Sequence, residues 1–292
     1  MSTPITLLDG GMGQELQRRG LRDRVLWSTR ALIDRPEAVQ QLHEEYIALG
    51  ADVITTNTYS CTPMHFERVE GLTSRAVELL ELAGHLAASA RETAGRAGVK
   101  IAASIPPVDE SYRPDLVRSA DEMAEWYGVM VESLRPFVDI WLCETMSSIR
   151  EAEAALMSTA GESAPTWVAW TLTDHRTACL RSGEALGDAV HEAHRHHPAA
   201  VLVNCCQPQT VTAAMPTLRD TARSLPFGAY ANGFPPMPED FGPETEFDDH
   251  ETPSVSSYAE HARAWMSAGA TIIGGCCDIG PDHMSAVASS VV

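Results

Sequence analysis

Seven cysteines stand at 61, 143, 179, 205, 206, 276 and 277, and four of them form two adjacent pairs. Thiolates bind Zn²⁺ at ~2.3 Å, and a catalytic zinc keeps three protein ligands and leaves a fourth position open. The two pairs could supply such a set if the fold brings Cys205 or Cys206 to face Cys276 and Cys277. Adjacent residues on an extended strand point to opposite faces, so the chain must turn for Cys276 and Cys277 to hold one ion. The preceding Gly274 and Gly275 are expected to provide that freedom. A three-thiolate site is soft and electron-rich, which suits zinc with a thiol as the fourth ligand. The competing explanation is that these are ordinary buried cysteines, and it is adopted here for Cys61, Cys143 and Cys179. No Cys-x-x-Cys knuckle occurs, which disfavours a structural zinc site. An odd count with two adjacent pairs also argues against a disulfide framework and for a reducing, cytoplasmic compartment.

Positioning these residues requires elements, and the pattern is one of short apolar or β-branched runs alternating with longer amphipathic stretches. Strands are predicted at 5–9, 53–57, 100–104, 139–144, 166–172, 200–204, 228–231 and 271–275. Helices are predicted at 36–49, 74–95, 121–135, 148–160, 184–196, 210–223, 256–268 and 281–290. Ser74, Asp121 and Ser147 are plausible caps, and Gly50, Gly98 and Gly269 are plausible terminators. Strand then helix, eight times, is the α/β pattern of a (β/α)8 TIM barrel in one domain spanning 1–292. An open doubly wound sheet fits the alternation too, but the count of eight favours closure. Two long connections interrupt the regularity, at 10–35 and 233–254. The second is rich in Pro and acids, yet only one strand and one helix follow it, too little to fold alone, so it is read as a barrel loop.

Barrel enzymes build their sites at the C-terminal ends of the strands. Those ends carry Asp9-Gly10, Thr56-Asn57-Thr58, Cys143-Glu144-Thr145, Asn204-Cys205-Cys206, Asn232-Gly233 and Gly275-Cys276-Cys277-Asp278. Asn57 and Asn232 are candidate substrate contacts on this ground. The 40 acidic against 21 basic residues give a net charge of −19, which would repel phosphate backbones and anionic lipid, so no nucleic-acid or membrane partner is expected. A cationic small molecule would be mildly favoured. No secretory signal and no apolar run long enough to span a bilayer is visible. His191, His194, His196 and His197 fall on or just beyond the helix before the sixth strand, away from the rim, and read as solvent-facing. That removes the His-carboxylate ligand set which a zinc hydrolase or aldolase would normally bring.

LLDGGMGQEL, DVITTNTY, CET, VNCC, YANG and GGCCDIGPDHM, in that order, together resemble the homocysteine S-methyltransferases over about 7–283. That family includes betaine-, S-methylmethionine- and S-adenosylmethionine-using enzymes and the homocysteine-binding module of cobalamin-dependent methionine synthase. The resemblance implies that Cys205, Cys276 and Cys277 hold zinc, and it asks nothing of Cys206. It also implies that Asp9 and Gly10 bind the end group of homocysteine and that Glu144 meets its amino group. After the third strand this chain reads Ser104-Ile105-Pro106-Pro107 and then ESYRPD where relatives are often Gly-Pro-rich, so contacts from that loop are not carried over. The aromatic position that betaine users place shortly after the second-strand motif falls in Tyr59-Ser60-Cys61 here, a departure that weakens betaine as donor.

The expected chemistry is zinc-assisted transfer of a methyl group to the homocysteine thiol, giving methionine. A free thiol of pKa ~8.5 is mostly protonated at neutral pH, and zinc coordination would deprotonate it. Donors in this family carry a cationic centre that an aromatic face can hold, and Trp27 is the candidate face. Without a G-x-G-x-x-G turn, or length for cobalamin or folate domains, S-methylmethionine is the first choice of donor and S-adenosylmethionine the second. The alternatives are a non-catalytic soft-metal binding or sensing protein, and a methyltransferase acting on another thiol or a selenol. An exposed barrel helix could pair with its twin in a homo-oligomer.

Overall fold

Eight parallel strands alternate with helices in the computed structural model, which describes residues 4–96, 98–175, 177–242, 245 and 252–291. The strands are β1 (Thr6–Leu7), β2 (Val53–Thr55), β3 (Lys100–Ile105), β4 (Ile140–Met146), β5 (Thr166–Trp170), β6 (Ala200–Asn204), β7 (Phe227–Ala231) and β8 (Ile272–Gly275). Their hydrogen-bonded order is β1-β8-β7-β6-β5-β4-β3-β2. A parallel bridge from Leu8 to Val53 joins the two ends, so the sheet closes into a (β/α)8 barrel and is not an open doubly wound sheet.

The helices are α1 (Met12–Arg18), α2 (Thr29–Asp34), α3 (Pro36–Ala48), α4 (Pro63–Phe66), α5 (Ala76–Ala94), α6 (Ala120–Leu134), α7 (Ile149–Ser158), α8 (Leu186–Ala193), α9 (Pro208–Ala222), α10 (Val255–Ser267) and α11 (Pro281–Val291). All eight expected helices form. The first long connection, 10–35, adds α1 and α2, and α4 follows β2. The acidic middle of the second connection, 233–254, lies outside the described residues.

Several expected caps are corrected. Ser119, not Asp121, caps α6, in a reciprocal box with Glu122 that is worth about 1 kcal/mol. Ser148, not Ser147, caps α7. Ser74 sits in a 3₁₀ turn, and its hydroxyl donates to the Gly71 carbonyl. Helix α5 stops at Gly95, at φ 60°, ahead of Gly98. For α6, α7 and the end of α5 the competing residue lies within a few positions and can play the same part, so local sequence could not rank them; the first turn of α5 has no side-chain cap.

Side chains alternate across each strand, and the alternation sorts the core into two shells. Inside the barrel, Leu8, Val53, Ala102, Ile140, Leu142, Ala169, Ala200, Leu202, Tyr230 and Ile272 pack together. The out-facing Ile54, Ile101, Trp141, Val168, Trp170, Val201, Val203 and Ile273 join the shell between sheet and helices. The same period two carries the interior rows upward, Ile140 and Leu142 to Glu144 and Ala102 to Ser104. Polar residues at the strand ends are thereby delivered to the barrel mouth. Tyr258 of α10 secures this end from outside: its hydroxyl donates to the Gly274 carbonyl at 2.7 Å and accepts from the Ala231 amide at 3.1 Å.

His43 of α3 is fully buried, and neither ring nitrogen has a hydrogen-bond partner. Burial pulls its pKa down from 6.5 to about 4. A depressed folded-state value means that its contribution is whole above about 6.5 and is lost as pH falls toward 4. Compared with His43→Leu in urea unfolding, the native protein should lose about 2 kcal/mol of stability from pH ~7 to pH ~5. Parallel stability-pH curves for the two proteins would show that this histidine is not a buried neutral group.

Candidate active site

Strands β6 and β8 are both neighbours of β7, and their C-terminal ends bring the Sγ atoms of Cys205, Cys276 and Cys277 within 4.8 Å of one another. Cys205 and Cys277 sulfurs are 4.0 Å apart. Three sulfurs at ~2.3 Å from a tetrahedral ion would stand about 3.8 Å apart, so the trio fits zinc with only small adjustments. Among the described residues no fourth His, Cys, Asp or Glu joins the set. Cys206, the other member of its pair, is fully buried in the outer core, and burial pushes its thiol up. That assignment separates the two adjacent cysteines by the face of the chain on which each lies.

The turn that lets Cys276 and Cys277 share a site is not made by the preceding glycines. Gly274 and Gly275 belong to β8, and neither has a positive φ. They are small because space is short: a Cβ on Gly274 would lie 2.6 Å from that of Leu8, and one on Gly275 would lie 2.5 Å from Ile279 Cγ2. The bend comes instead from Asp278, at φ 64°, with the Ile279 amide closing back on the Cys276 carbonyl at 3.0 Å. Arg18 holds the Asp278 carboxylate at 2.7 Å. Cys205 is left-handed as well, at φ 50°, and its carbonyl accepts from the Thr171 hydroxyl at 3.1 Å.

The three thiols shift one another's acidity in opposite directions. Hydrogen bonds from Cys276 and Cys277, then from Tyr112 and Asn232, hold the Cys205 thiol well below its ordinary value. The Cys276 and Cys277 thiols are raised by the same contacts with Cys205 and by burial. Tyr112 Oη is 2.9 Å from Cys205 Sγ.

Two carboxyls are buried beside the sulfurs. Asp9 accepts from the Thr55 amide at 2.7 Å and from the Thr55 hydroxyl at 3.0 Å. Glu144 accepts from Ser104 Oγ at 2.5 Å and from Tyr230 Oη at 3.0 Å. Burial raises Asp9 to about 7, against the Thr55 hydrogen bonds and with help from the Glu144 charge. Burial likewise raises Glu144 to about 7, against its two hydroxyl donors. Glu144 sits in an irregularity of β4 between Cys143 and Met146. The irregularity is locked to β6 by a reciprocal pair: the Thr145 amide donates to Asn204 Oδ1 at 3.0 Å, and Asn204 Nδ2 donates to Thr145 Oγ1 at 2.8 Å. The Asn before Cys205 therefore fixes the acid and the thiol relative to each other.

A cavity of about 290 Å³ opens between these groups, lined by the three cysteines, Asp9, Gly10, Glu144, Asn57 and Trp27. Gly10 must lack a side chain, since a Cβ there would come within 2.4 Å of the Ile279 carbonyl oxygen. Asn57 lines the wall but spends its amide on the Ser28 carbonyl at 3.0 Å. Asn232 differs from expectation: it is not part of the lining, and its Nδ2 approaches Cys205 Sγ at 4.0 Å. His191, His194, His196 and His197 are likewise absent from the wall, whereas His65 lies on it and bonds to Thr62 Oγ1. Sequence reasoning did not single out Ser104, Tyr230 or Tyr112. The first two could have been found as inward-facing members of β3 and β7; Tyr112 lies in an irregular loop and carried no periodic signal. Arg22, Arg24 and Arg68 stand on the outer part of the same wall.

A family model described as homocysteine S-methyltransferase matches residues 6–291. The homocysteine S-methyltransferase YbgG of Bacillus subtilis is 31% identical over 98% of this chain and 94% of its own length. The Escherichia coli homocysteine S-methyltransferase is 30% identical over 97% of this chain and 94% of its own length. The metallated form of the E. coli homocysteine methyltransferase MmuM superposes with a TM-score of 0.81 at 29% identity, over 98% of this chain and 96% of that one.

Loading with Zn²⁺ and counting bound metal should separate the adjacent cysteines. Cys206→Ser is expected to retain the native stoichiometry, while Cys205→Ser should lose metal to a chelator at least ten-fold faster. Equal loss from both would contradict the division of the pair between core and cavity.

Proposed function

Because the chain belongs to the homocysteine S-methyltransferase family and is therefore a methyltransferase, we propose that it moves a methyl group from a sulfonium donor to the thiol of L-homocysteine, with Zn²⁺ held by Cys205, Cys276 and Cys277. The observation that carries this reading is the union, in one cavity, of three convergent sulfurs and two buried carboxyls held only by hydroxyl and amide donors. A soft metal and an ammonium group are what such a wall lacks. A bound zinc would supply a thiolate nucleophile at neutral pH.

The chain's own residues do the rest. Glu144, aimed by Ser104 and Tyr230, would receive the amino group of homocysteine, and Asp9-Gly10 would meet its end group. An ammonium group arriving there would draw both acids back to the carboxylate form, recovering part of the cost of their burial. The arginines on the outer wall would meet the carboxylates of acceptor and donor. Trp27, half-buried on the wall, offers the face for the donor's cationic centre. Held this way, donor and acceptor meet as neighbours, and that proximity accounts for much of the expected acceleration. S-methylmethionine is the first choice of donor and S-adenosylmethionine the second, because the chain carries no G-x-G-x-x-G turn. A metal sensor would need the sulfurs but not the acids.

The test is metal content together with methionine formation by the reduced protein, with S-methylmethionine, S-adenosylmethionine and betaine supplied in parallel. Zinc near one equivalent and turnover with S-methylmethionine are expected; zinc with no methionine from any donor would overturn homocysteine as acceptor. Glu144→Gln should raise KM for homocysteine by roughly ten-fold or more, at unchanged zinc content. A sensor would be indifferent to it.

The pH dependence of product binding follows from the raised acids. Methionine has no thiol to titrate, so its affinity reports the acids that receive its amino group. It should weaken as pH falls below about 7, where Asp9 and Glu144 become neutral in the free protein. In Glu144→Gln that slope should flatten, as read by calorimetric titration.

A further inference from the structure

Tyr112 touches the metal trio, but it comes from the loop after β3 and is no ligand of the expected set. It is buried, adopts a left-handed φ of 66°, and places its hydroxyl 2.9 Å from Cys205 Sγ. Cys205 is itself left-handed, so both ends of one contact sit in a conformation that non-glycine residues avoid. Strain of that kind persists only where the surroundings over-determine it.

Here the surroundings are a buried ion pair. The Arg181 guanidinium carbon lies 5.1 Å from the centre of the Tyr112 ring. The side chains of Arg181 and Asp174 are 4% and 3% exposed, and their charged atoms are 3.2 Å apart. Arg181 also donates to the Met237 carbonyl at 3.0 Å. Asp174 accepts from Thr210 Oγ1 at 2.7 Å, from the Met237 amide at 3.2 Å and from the Gln207 amide at 3.3 Å. The pair thus joins the loops after β5, β6 and β7 behind the metal trio, and neither member lines the cavity. Phe241 closes the other side of Tyr112 edge-on, with ring centres 5.0 Å apart.

A buried ion pair is weak evidence of stabilisation, because desolvating two charges offsets most of their attraction. This one has a local electronic consequence. A cation over the face of a phenol withdraws electron density and makes its hydroxyl a stronger donor. A metal-bound thiolate carries no proton, so in the loaded protein the hydrogen of this contact must belong to Tyr112. Hydrogen bonds to a ligand sulfur lower the charge that the sulfur gives to its metal.

We propose that Tyr112, clamped and polarised by the Arg181–Asp174 pair, is a positioning residue that sets how much electron density Cys205 donates to the bound metal. The inference rests on the metal reading above. It adds a control on the trio that acts through one sulfur, from Tyr112 on the cavity wall and an ion pair behind it.

Cobalt(II) tests it without recourse to activity, because sulfur-to-cobalt charge transfer moves to longer wavelength as the sulfur becomes richer in electrons. The native protein, Tyr112→Phe, Arg181→Met and the double variant would be loaded with Co²⁺, and the near-ultraviolet band and the stoichiometry recorded. Tyr112→Phe is expected to shift the band to longer wavelength at unchanged stoichiometry. Arg181→Met should shift it the same way by less, and the double variant should match Tyr112→Phe alone. A band unmoved by Tyr112→Phe, or additive shifts in the double variant, would overturn the proposal. Should Arg181→Met not fold, replacing Tyr112 with a fluorinated tyrosine decides: its stronger hydroxyl must move the band to shorter wavelength, and an unmoved band refutes the role. Failure of the native protein to bind Co²⁺ through sulfur would instead bring down the metal reading itself.

Discussion

Holding three sulfurs within 4.8 Å of one another on two strand ends that are separated by a third strand is the demand around which this barrel's mouth is built. Extended strands alone cannot meet it, since alternation would turn one of two adjacent cysteines away. The chain leaves the extended region at Cys205 and at Asp278, and the neighbouring Thr145 and Tyr112 are left-handed too. Each such residue costs of order 1–3 kcal/mol. The compensation is visible as specific ties: Asn204 to Thr145, Arg18 to Asp278, Thr171 to the Cys205 carbonyl, and the Gly233 amide to the Cys277 carbonyl at 2.8 Å.

The second consequence is electrostatic. Three thiols and two carboxyls face one small cavity, and burying that many potential anions without counter-charge is expensive. The protein answers in part by protonation, with Asp9 and Glu144 raised to about 7. It answers in part with neutral donors, from Thr55, Ser104, Tyr230 and Tyr112. Positive charge is kept to the outer wall and to Arg181 behind Tyr112. The interior of the mouth is therefore rich in groups that can carry negative charge, and burying them together has an electrostatic cost. Site and stability are opposed here, as they are wherever pre-organisation is built from like charges.

The barrel supplies what makes such a site tolerable. Closure between Leu8 and Val53 leaves no open edge, and the interior rows from Ile140 and Leu142 to Glu144 stand on a packed floor. Tyr258 fastens β7 to β8 just below the cysteine pair. With the floor rigid, the distortion is confined to the residues at the mouth, and the loops after β3, β5 and β7 can be drawn together behind the sulfurs.

Much of this was written in residue order alone. Eight alternations of apolar run and amphipathic stretch determined the barrel, because periodicity reports which face of each element is buried. Two cysteine pairs at strand ends determined that a soft metal was in question. Sequence could not choose between Cys205 and Cys206 by position, since the choice depends on which way the chain turns after Asn204, and that is set by Thr145 on another strand. Nor could it say why Gly274 and Gly275 are small, because the atoms that crowd them belong to Leu8 and Ile279. Asn232 looked like a wall residue by its place at the end of β7, but the rotation of that strand end takes it to the Cys205 sulfur. Tyr112 and the Arg181–Asp174 pair meet only through space, each from a loop without period, so only the folded chain could set a guanidinium over the phenol that reaches the Cys205 thiol.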